Sequence, residues 1–366
     1  MKPLDPRLLR YARSTRGFIA VAVVLGAVTA RTIGRWEVGG GTTSYGLGPP
    51  APIGPPATVP GYADERATSP AFADSPWAVD YFWELRTTAF DQAPYVGPTP
   101  HDRSGRYLNI RDQVRVSYGD DDAAGPVVWF FGGSTVFGEG QRDDHTIPSE
   151  VARLAEADGH PIRAVNFGVQ ADSDYQSMLR LEQALALRRP LPDLVVFYDG
   201  ANEVTQHLSQ PRTDAPQYYQ GIGGPSSPPE EASVFETWCR AGTTLRAVGL
   251  CDRTEADALP AAPAVLVDQI TGVYARGLGL ARDLAEGAGA RFASFFQPAA
   301  YYQQVPFIDD VRARLPAGTI DVSDALDGAA GQATYFDPVH TNEEGAKIVA
   351  AALYGHLRST VADLDR

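Results

Sequence analysis

Val127-Val128-Trp129-Phe130-Phe131-Gly132-Gly133-Ser134-Thr135 joins an unbroken apolar run to two glycines and a hydroxyl. A run of this kind suits a strand covered on both faces, where neither side of the pleat meets water. The glycines permit a sharp turn at the strand end and leave the Ser134 hydroxyl exposed there. A serine in that place also suits a helix cap, so the position alone assigns no chemistry. The same rhythm continues downstream. Residues 145–158 carry Ile147, Val151, Leu154 and Ala155 at helical spacing, residues 162–169 read as a second strand, and residues 174–188 as a helix ended by Pro190. Residues 194–198, 290–296 and 319–322 read as further strands, and residues 264–286 and 342–357 as helices. Strands alternating with helices predict βαβ units and a mostly parallel sheet. In such sheets the ligand site lies beyond the carboxyl ends of the strands.

Three motifs fall at those ends: Ser134 after Gly132-Gly133, Gly168 in Asn166-Phe167-Gly168, and Asn202 in Asp199-Gly200-Ala201-Asn202-Glu203. A fourth, Asp337-Pro338-Val339-His340, precedes the last helix. A serine hydroxyl needs a base to become a nucleophile. His340 supplies one, and Asp337 across a proline-containing turn can hold one ring nitrogen and leave the other for Ser134. The backbone N–H groups of Ser134 and Gly168 and the side-chain amide of Asn202 are candidate donors to the oxyanion of an acyl transfer. Each also has an ordinary reading. Glycine and asparagine favour turns, and Thr341-Asn342-Glu343-Glu344 reads as a capping box that fixes the helix start. His101, His145, His160, His207 and His356 have no acid at comparable spacing and read as surface or core residues.

Composition narrows the function further. The formal net charge of -14 disfavours nucleic acid as a partner. Lys2 and Lys347 are the only lysines and neither lies in a P-loop string; Gly138-Glu139-Gly140 lacks the third glycine of a dinucleotide fingerprint. Two cysteines cannot by themselves make a zinc site, and no HExxH or CxxC occurs, so no metal site is expected.

The remaining segments suggest export. Lys2, Arg7, Arg10, Arg13 and Arg16 form a basic flank (residues 1–16) before an uncharged run from 17 to 30, which Arg31 closes. That run is shorter than the roughly 20 residues that span a bilayer comfortably. Residues 17–36 are therefore either a signal peptide cleaved near Val28-Thr29-Ala30 or an uncleaved anchor whose arginines snorkel. The apolar character kept by residues 32–36 favours the anchor. In both cases the basic flank stays cytoplasmic and the rest crosses the membrane. Residues 37–74 read as a Pro/Gly-rich linker, and residues 75–124 as an N-terminal extension packed on the main domain, with a strand over 106–110. Residues 125–366 form the main domain, interrupted over about 204–262 by a cap-like insertion that holds Cys239 and Cys251. Outside the cytoplasm such a pair commonly forms a disulfide; in the cytosol two free thiols would be the default.

Taken together, Ser134, Gly168, Asn202 and His340 in their four blocks resemble the SGNH/GDSL hydrolase superfamily over roughly residues 125 to 360. The resemblance implies a flavodoxin-like three-layer α/β/α sandwich with a mostly parallel five-stranded sheet. It also implies a Ser134–His340–Asp337 triad with an oxyanion hole at Ser134, Gly168 and Asn202. Two positions depart from the family pattern: Gly133 stands for the usual aspartate of the first block, and Glu203 for the usual aspartate of the third. Bacterial members with an N-terminal membrane segment often act on acyl groups of envelope glycans. The expectation is an exported serine esterase that cleaves an acyl ester, acetyl among the candidates, of a carbohydrate or small molecule without a cofactor. A glycan O-acyltransferase using the same residues and a non-catalytic glycan-binding protein are the alternatives.

Overall fold

A computed structural model describes residues 64–93, 96–120, 124–188, 190–209, 263–329 and 333–366. The basic flank, the apolar run after it, the linker up to residue 63, Cys239, Cys251 and the insertion beyond residue 209 lie outside these residues. Among the described residues no helix is long and apolar enough to cross a membrane.

Two short 3-10 turns, Glu65–Thr68 and Pro70–Phe72, lead into helix α1 (Ala78–Arg86) and an antiparallel ribbon of β1 (Phe90–Ala93) and β2 (Gly97–Pro100). A second hairpin, β3 (Ile110–Arg111) and β4 (Val114–Arg115), follows. The main domain then runs β5 (Val127–Gly132), α2 (Ser134–Phe137), α3 (Ile147–Ala157), β6 (Arg163–Asn166), α4 (Asp174–Leu187), β7 (Leu194–Asp199) and α5 (Ala201–Ser209). After the insertion come α6 (Pro263–Gly287), β8 (Arg291–Phe296), α7 (Ile308–Arg312), β9 (Thr319–Asp321) and α8 (Glu343–Leu364).

The large sheet is ordered β3-β4-β6-β5-β7-β8-β9. Its last five strands are parallel, and within them the chain order is second, first, third, fourth, fifth. This is the flavodoxin-like order, with a topological switch point between β5 and β7. Alternate residues of each strand enter opposite layers. Trp129 and Phe131 pack with Met178 and Leu181 of α4 and Ile270 and Leu278 of α6. Val128 and Phe130 pack with Val151 and Ala155 of α3 and Val349 and Leu353 of α8. Phe131 stacks between Phe167 and Phe197, with ring centroids at 4.7 and 5.4 Å. Burial of one such side chain contributes about 1.5–3 kcal/mol, so both faces of the sheet are anchored.

The five parallel strands follow the sequence reading, and the extension enlarges the sheet to seven strands. It does so through β4, which pairs antiparallel with β6 at Arg115 and Asn166. The strand expected over 106–110 is reduced to Ile110–Arg111 of a hairpin. Residues 64–74, read as linker, fold with the extension: Phe72 is buried in a cluster with Tyr81, Phe82 and Leu108, and Phe137 of the main domain joins it. Residues 201–209, partly assigned to the insertion, are helical. Helix α8 runs beyond residue 357 because Val361 is still buried on the sheet-facing cluster.

Candidate active site

Ser134 is the first residue of α2, one helical turn set on the end of β5. Gly133 is its N-cap, and the turn closes at Gly138 in the left-handed region (φ 87°). A Cβ at residue 138 would meet Thr146 Cγ2 at 2.5 Å, so both backbone and space demand glycine there. The extension braces this turn. The Tyr81 hydroxyl donates to Gly138 O at 2.8 Å. The fully buried Arg115 guanidinium donates to Phe137 O and Gly138 O, both at 2.7 Å, and to Gln141 O at 2.5 Å.

His340 arrives on a turn fixed by its own acid. Asp337 Oδ1 accepts the backbone N–H groups of Val339 (2.8 Å) and His340 (2.7 Å). His340 Nδ1–H donates to Asp337 Oδ2 at 2.6 Å, and Ser134 Oγ–H donates to His340 Nε2 at 2.6 Å. The structure thus joins three side chains predicted from sequence, with the serine and the histidine 206 positions apart. The Phe336 ring stacks on the imidazole, with centroids at 5.7 Å. The expected capping box does not form, because Gly345 at the third helical position has no side chain to reach back to the cap. Asn342, not Thr341, caps α8, its Oδ1 accepting the Gly345 N–H at 3.0 Å. Thr341 instead accepts from Gln141 Nε2 (3.2 Å to Oγ1). The Asn342 amide also donates to Ala71 O at 2.8 Å, which fastens the extension to the histidine loop.

Electrostatics set the protonation states. Burial pushes the His340 imidazole down, but the Glu139 and Asp337 carboxylates outweigh it and hold the group above its ordinary value. Burial raises Asp337, but its bonds to His340 and to the backbone hold it below the usual carboxylate range. An ionised Asp337 beside Nδ1 fixes the tautomer that leaves Nε2 free to accept a proton.

The predicted oxyanion donors differ in availability. Among the described residues no hydrogen bond engages the Ser134 backbone N–H. Asn202, in the first turn of α5, donates through Nδ2 to Asp172 O at 2.7 Å, which uses one of its two amide hydrogens. Gly168 departs from expectation: its N–H donates to Asn166 Oδ1 at 2.9 Å and is already committed. Asn166 closes that link by donating to Val136 O at 2.8 Å, so it ties the end of β6 to α2. Glu203 has a structural task. It accepts the N–H groups of Gly200 (2.8 Å) and Asp174 (2.6 Å) and so fixes the start of α5 beneath Asn202.

Two neighbours of His340 were not singled out from sequence. Glu139 Oε2 lies 4.0 Å from His340 Nε2, and Arg66 pairs with Glu139 at 2.7 Å. Cavities of about 900 and 510 Å³ are among those that open on the described surface, and neither of these two is lined by Ser134, Asp337 or His340. Among the described residues no cluster of His, Cys, Asp and Glu is arranged to hold a metal ion.

No family model matches this chain, and no curated protein matches it. Solved structures do. A member of the lipolytic protein G-D-S-L family from Veillonella parvula DSM 2008 matches at 14% identity over 62% of this chain and 94% of that chain (TM-score 0.37). A lipase/acylhydrolase from Enterococcus faecalis matches at 15% identity over 64% of this chain and 96% of that one (TM-score 0.34). AlinE4, an SGNH-hydrolase family esterase, matches at 14% identity over 65% and 97% (TM-score 0.32). The chain is similar to these G-D-S-L and SGNH proteins at low identity.

Proposed function

We propose that this protein is a serine esterase of the SGNH type that cleaves an acyl ester through a covalent acyl-enzyme. The observation that carries the reading is the chain of two 2.6 Å hydrogen bonds from Ser134 through His340 to Asp337. In this reading Ser134 Oγ attacks the ester carbonyl as its proton passes to His340 Nε2. The Ser134 N–H and the second amide hydrogen of Asn202 receive the negative charge that forms on the carbonyl oxygen. The tetrahedral intermediate collapses, the C–O bond to the alcohol breaks, and His340 returns the proton to that oxygen. A water then attacks the acyl-enzyme, His340 takes one of its protons, and Ser134 leaves with that proton restored. Asp337 stays ionised throughout and stabilises the imidazolium.

The proposal includes an extracytoplasmic location and a carbohydrate or small-molecule ester, acetyl among the candidate acyl groups. It draws on the basic-flanked apolar run at residues 17–30. Burst hydrolysis of a short-chain aryl ester, with trapping of Ser134 by a serine-directed phosphonate, tests the chemistry. Ser134→Ala is expected to lose turnover by roughly a million-fold. Unchanged turnover in that variant rejects the mechanism. Product analysis with and without an acceptor sugar separates hydrolysis from transfer to a glycan hydroxyl.

A further inference from the structure

Gly138-Glu139-Gly140 places a carboxylate between two glycines that both lie in the left-handed region, with φ of 87° and 89°. The Glu139 backbone N–H donates to Ser134 O at 3.0 Å, so the turn that presents the nucleophile also fixes Glu139. Its side chain is largely buried, with Oε2 4.0 Å from His340 Nε2. The other oxygen, Oε1, accepts from Arg66 Nη1 at 2.7 Å. Arg66 is itself clamped. Its Nε and Nη2 donate to the two Asp64 carboxylate oxygens, both at 2.9 Å, and its guanidinium lies 4.5 Å from the centre of the Phe82 ring.

The charges that face His340 therefore come from three places: Asp337 on its own turn, Glu139 after α2, and Arg66 from the extension. The Phe336 ring covers a further side without charge. A carboxylate 4.0 Å from Nε2 is close enough to stabilise an imidazolium and too far to hydrogen-bond it. Moving closer by roughly 1 Å would make a direct charge-assisted bond. That bond would take Nε2 away from Ser134 Oγ.

We propose that Glu139 and Arg66 are positioning residues for His340: the Glu139 carboxylate stabilises the imidazolium formed when Ser134 gives up its proton, and Arg66 holds that carboxylate back so that Nε2 stays on Ser134. The assignment rests on the reading of Ser134 as nucleophile and His340 as its base. The bookkeeping of the step is simple: the Ser134 O–H bond breaks, an N–H bond forms at Nε2, and the proton later leaves on the alcohol. Glu139 and Arg66 exchange no proton. It follows that the extension, through Arg66, completes the site.

The test compares the full-length protein with Arg66→Met, Glu139→Gln and the double variant. The His340 titration midpoint is read by imidazole NMR, and kcat and KM with a short-chain aryl ester. Glu139→Gln is expected to lower the midpoint and Arg66→Met to raise it. Arg66→Met loses about tenfold or more in kcat with KM changed less than about threefold, because the released carboxylate competes for Nε2. Removing that carboxylate as well restores kcat to within about threefold of Glu139→Gln, a coupling that independent sites would not show. If Arg66 merely anchored the extension, the double variant would be as slow as Arg66→Met, and that result overturns the proposal. Midpoints unmoved by both single changes overturn it too. Phosphonate labelling of the unmodified protein separates the two failures. Labelling at Ser134 with unmoved midpoints rejects this assignment alone, whereas no labelling rejects the esterase reading and this assignment with it.

Discussion

Gly133 leaves open the space in which the Asn202 amide lies: a Cβ at residue 133 would come within 2.5 Å of Asn202 Nδ2. A side chain at residue 133 would force the Asn202 amide to shift from that placement. Gly133→Ala should therefore push Asn202 off the oxyanion position without touching Ser134 or His340. The expected loss is about 10²–10³ in kcat with KM little changed, as for removal of one oxyanion donor. Steady-state kinetics on an aryl ester check it, with phosphonate labelling still occurring but slower. An unchanged kcat would show that Asn202 takes no part in charge stabilisation.

The imidazole must be neutral to accept the Ser134 proton. Its folded value is held above the ordinary histidine value near 6.5 by Glu139 and Asp337, against burial. Activity should accordingly rise with pH through a midpoint above about 6.5, where His340 loses its proton. Asp337→Asn should shift that midpoint down and cost about 10⁴-fold in kcat, because the amide supports the wrong tautomer. The pH profile of kcat/KM in both proteins is the measurement. A midpoint below 6 in the unmodified protein contradicts the charge arrangement described for His340.

Arg115 is the strongest tie between the extension and the turn that carries Ser134. Its side chain is completely buried, and its donors serve three carbonyls and the Asp143 carboxylate. Arg115→Met fills the volume but removes the cation paired with Asp143 and the donor to Phe137 O and Gln141 O, while Asn109 still serves Asp143 and Tyr81 still serves Gly138 O, at a cost of about 3–5 kcal/mol in stability. Denaturant unfolding should show the loss as a lowered midpoint with a similar slope. A loss below about 1 kcal/mol would mean that the extension and the main domain are held by the Phe72–Phe82 aromatic cluster instead.

Much of this site was readable in advance, for a physical reason. A strand buried on both faces must be apolar throughout, so residues 127–131 and 194–198 announce themselves, and motifs at their ends share one edge of the sheet. Asp337 and His340 stand three positions apart, and a local turn joins them. The hairpin β3–β4 was hidden because its four residues alternate with charge and carry no run. The Arg66–Glu139 pair spans 73 positions, and no local pattern records a contact of that range. The commitment of Gly168 did leave a trace. Asn166 stands two residues before it, and asparagine side chains commonly bond a backbone two residues on.

A last prediction concerns the carboxylates beneath Asn202. Asp174, Asp199 and Glu203 are buried together, and burial followed by their mutual repulsion raises Asp174 and Asp199 well above the usual carboxylate value. Both Asp174 oxygens lack a hydrogen-bond donor among the described residues. In the unfolded chain an aspartate titrates near 3.9. Between that value and the higher folded one, the folded state holds more protons than the unfolded state, so stability falls as pH rises through the interval. The contribution is fully present below about pH 4 and fully lost above the folded value. Asp174→Asn removes the ionisation while keeping the shape. It should raise stability at pH 8 by about 1 kcal/mol or more, with the gain shrinking toward pH 4. Urea midpoints of the two proteins across that range measure it. Destabilisation by Asp174→Asn that grows from pH 4 to pH 8 would mean that the ionised carboxylate stabilises the fold, and would contradict the raised value.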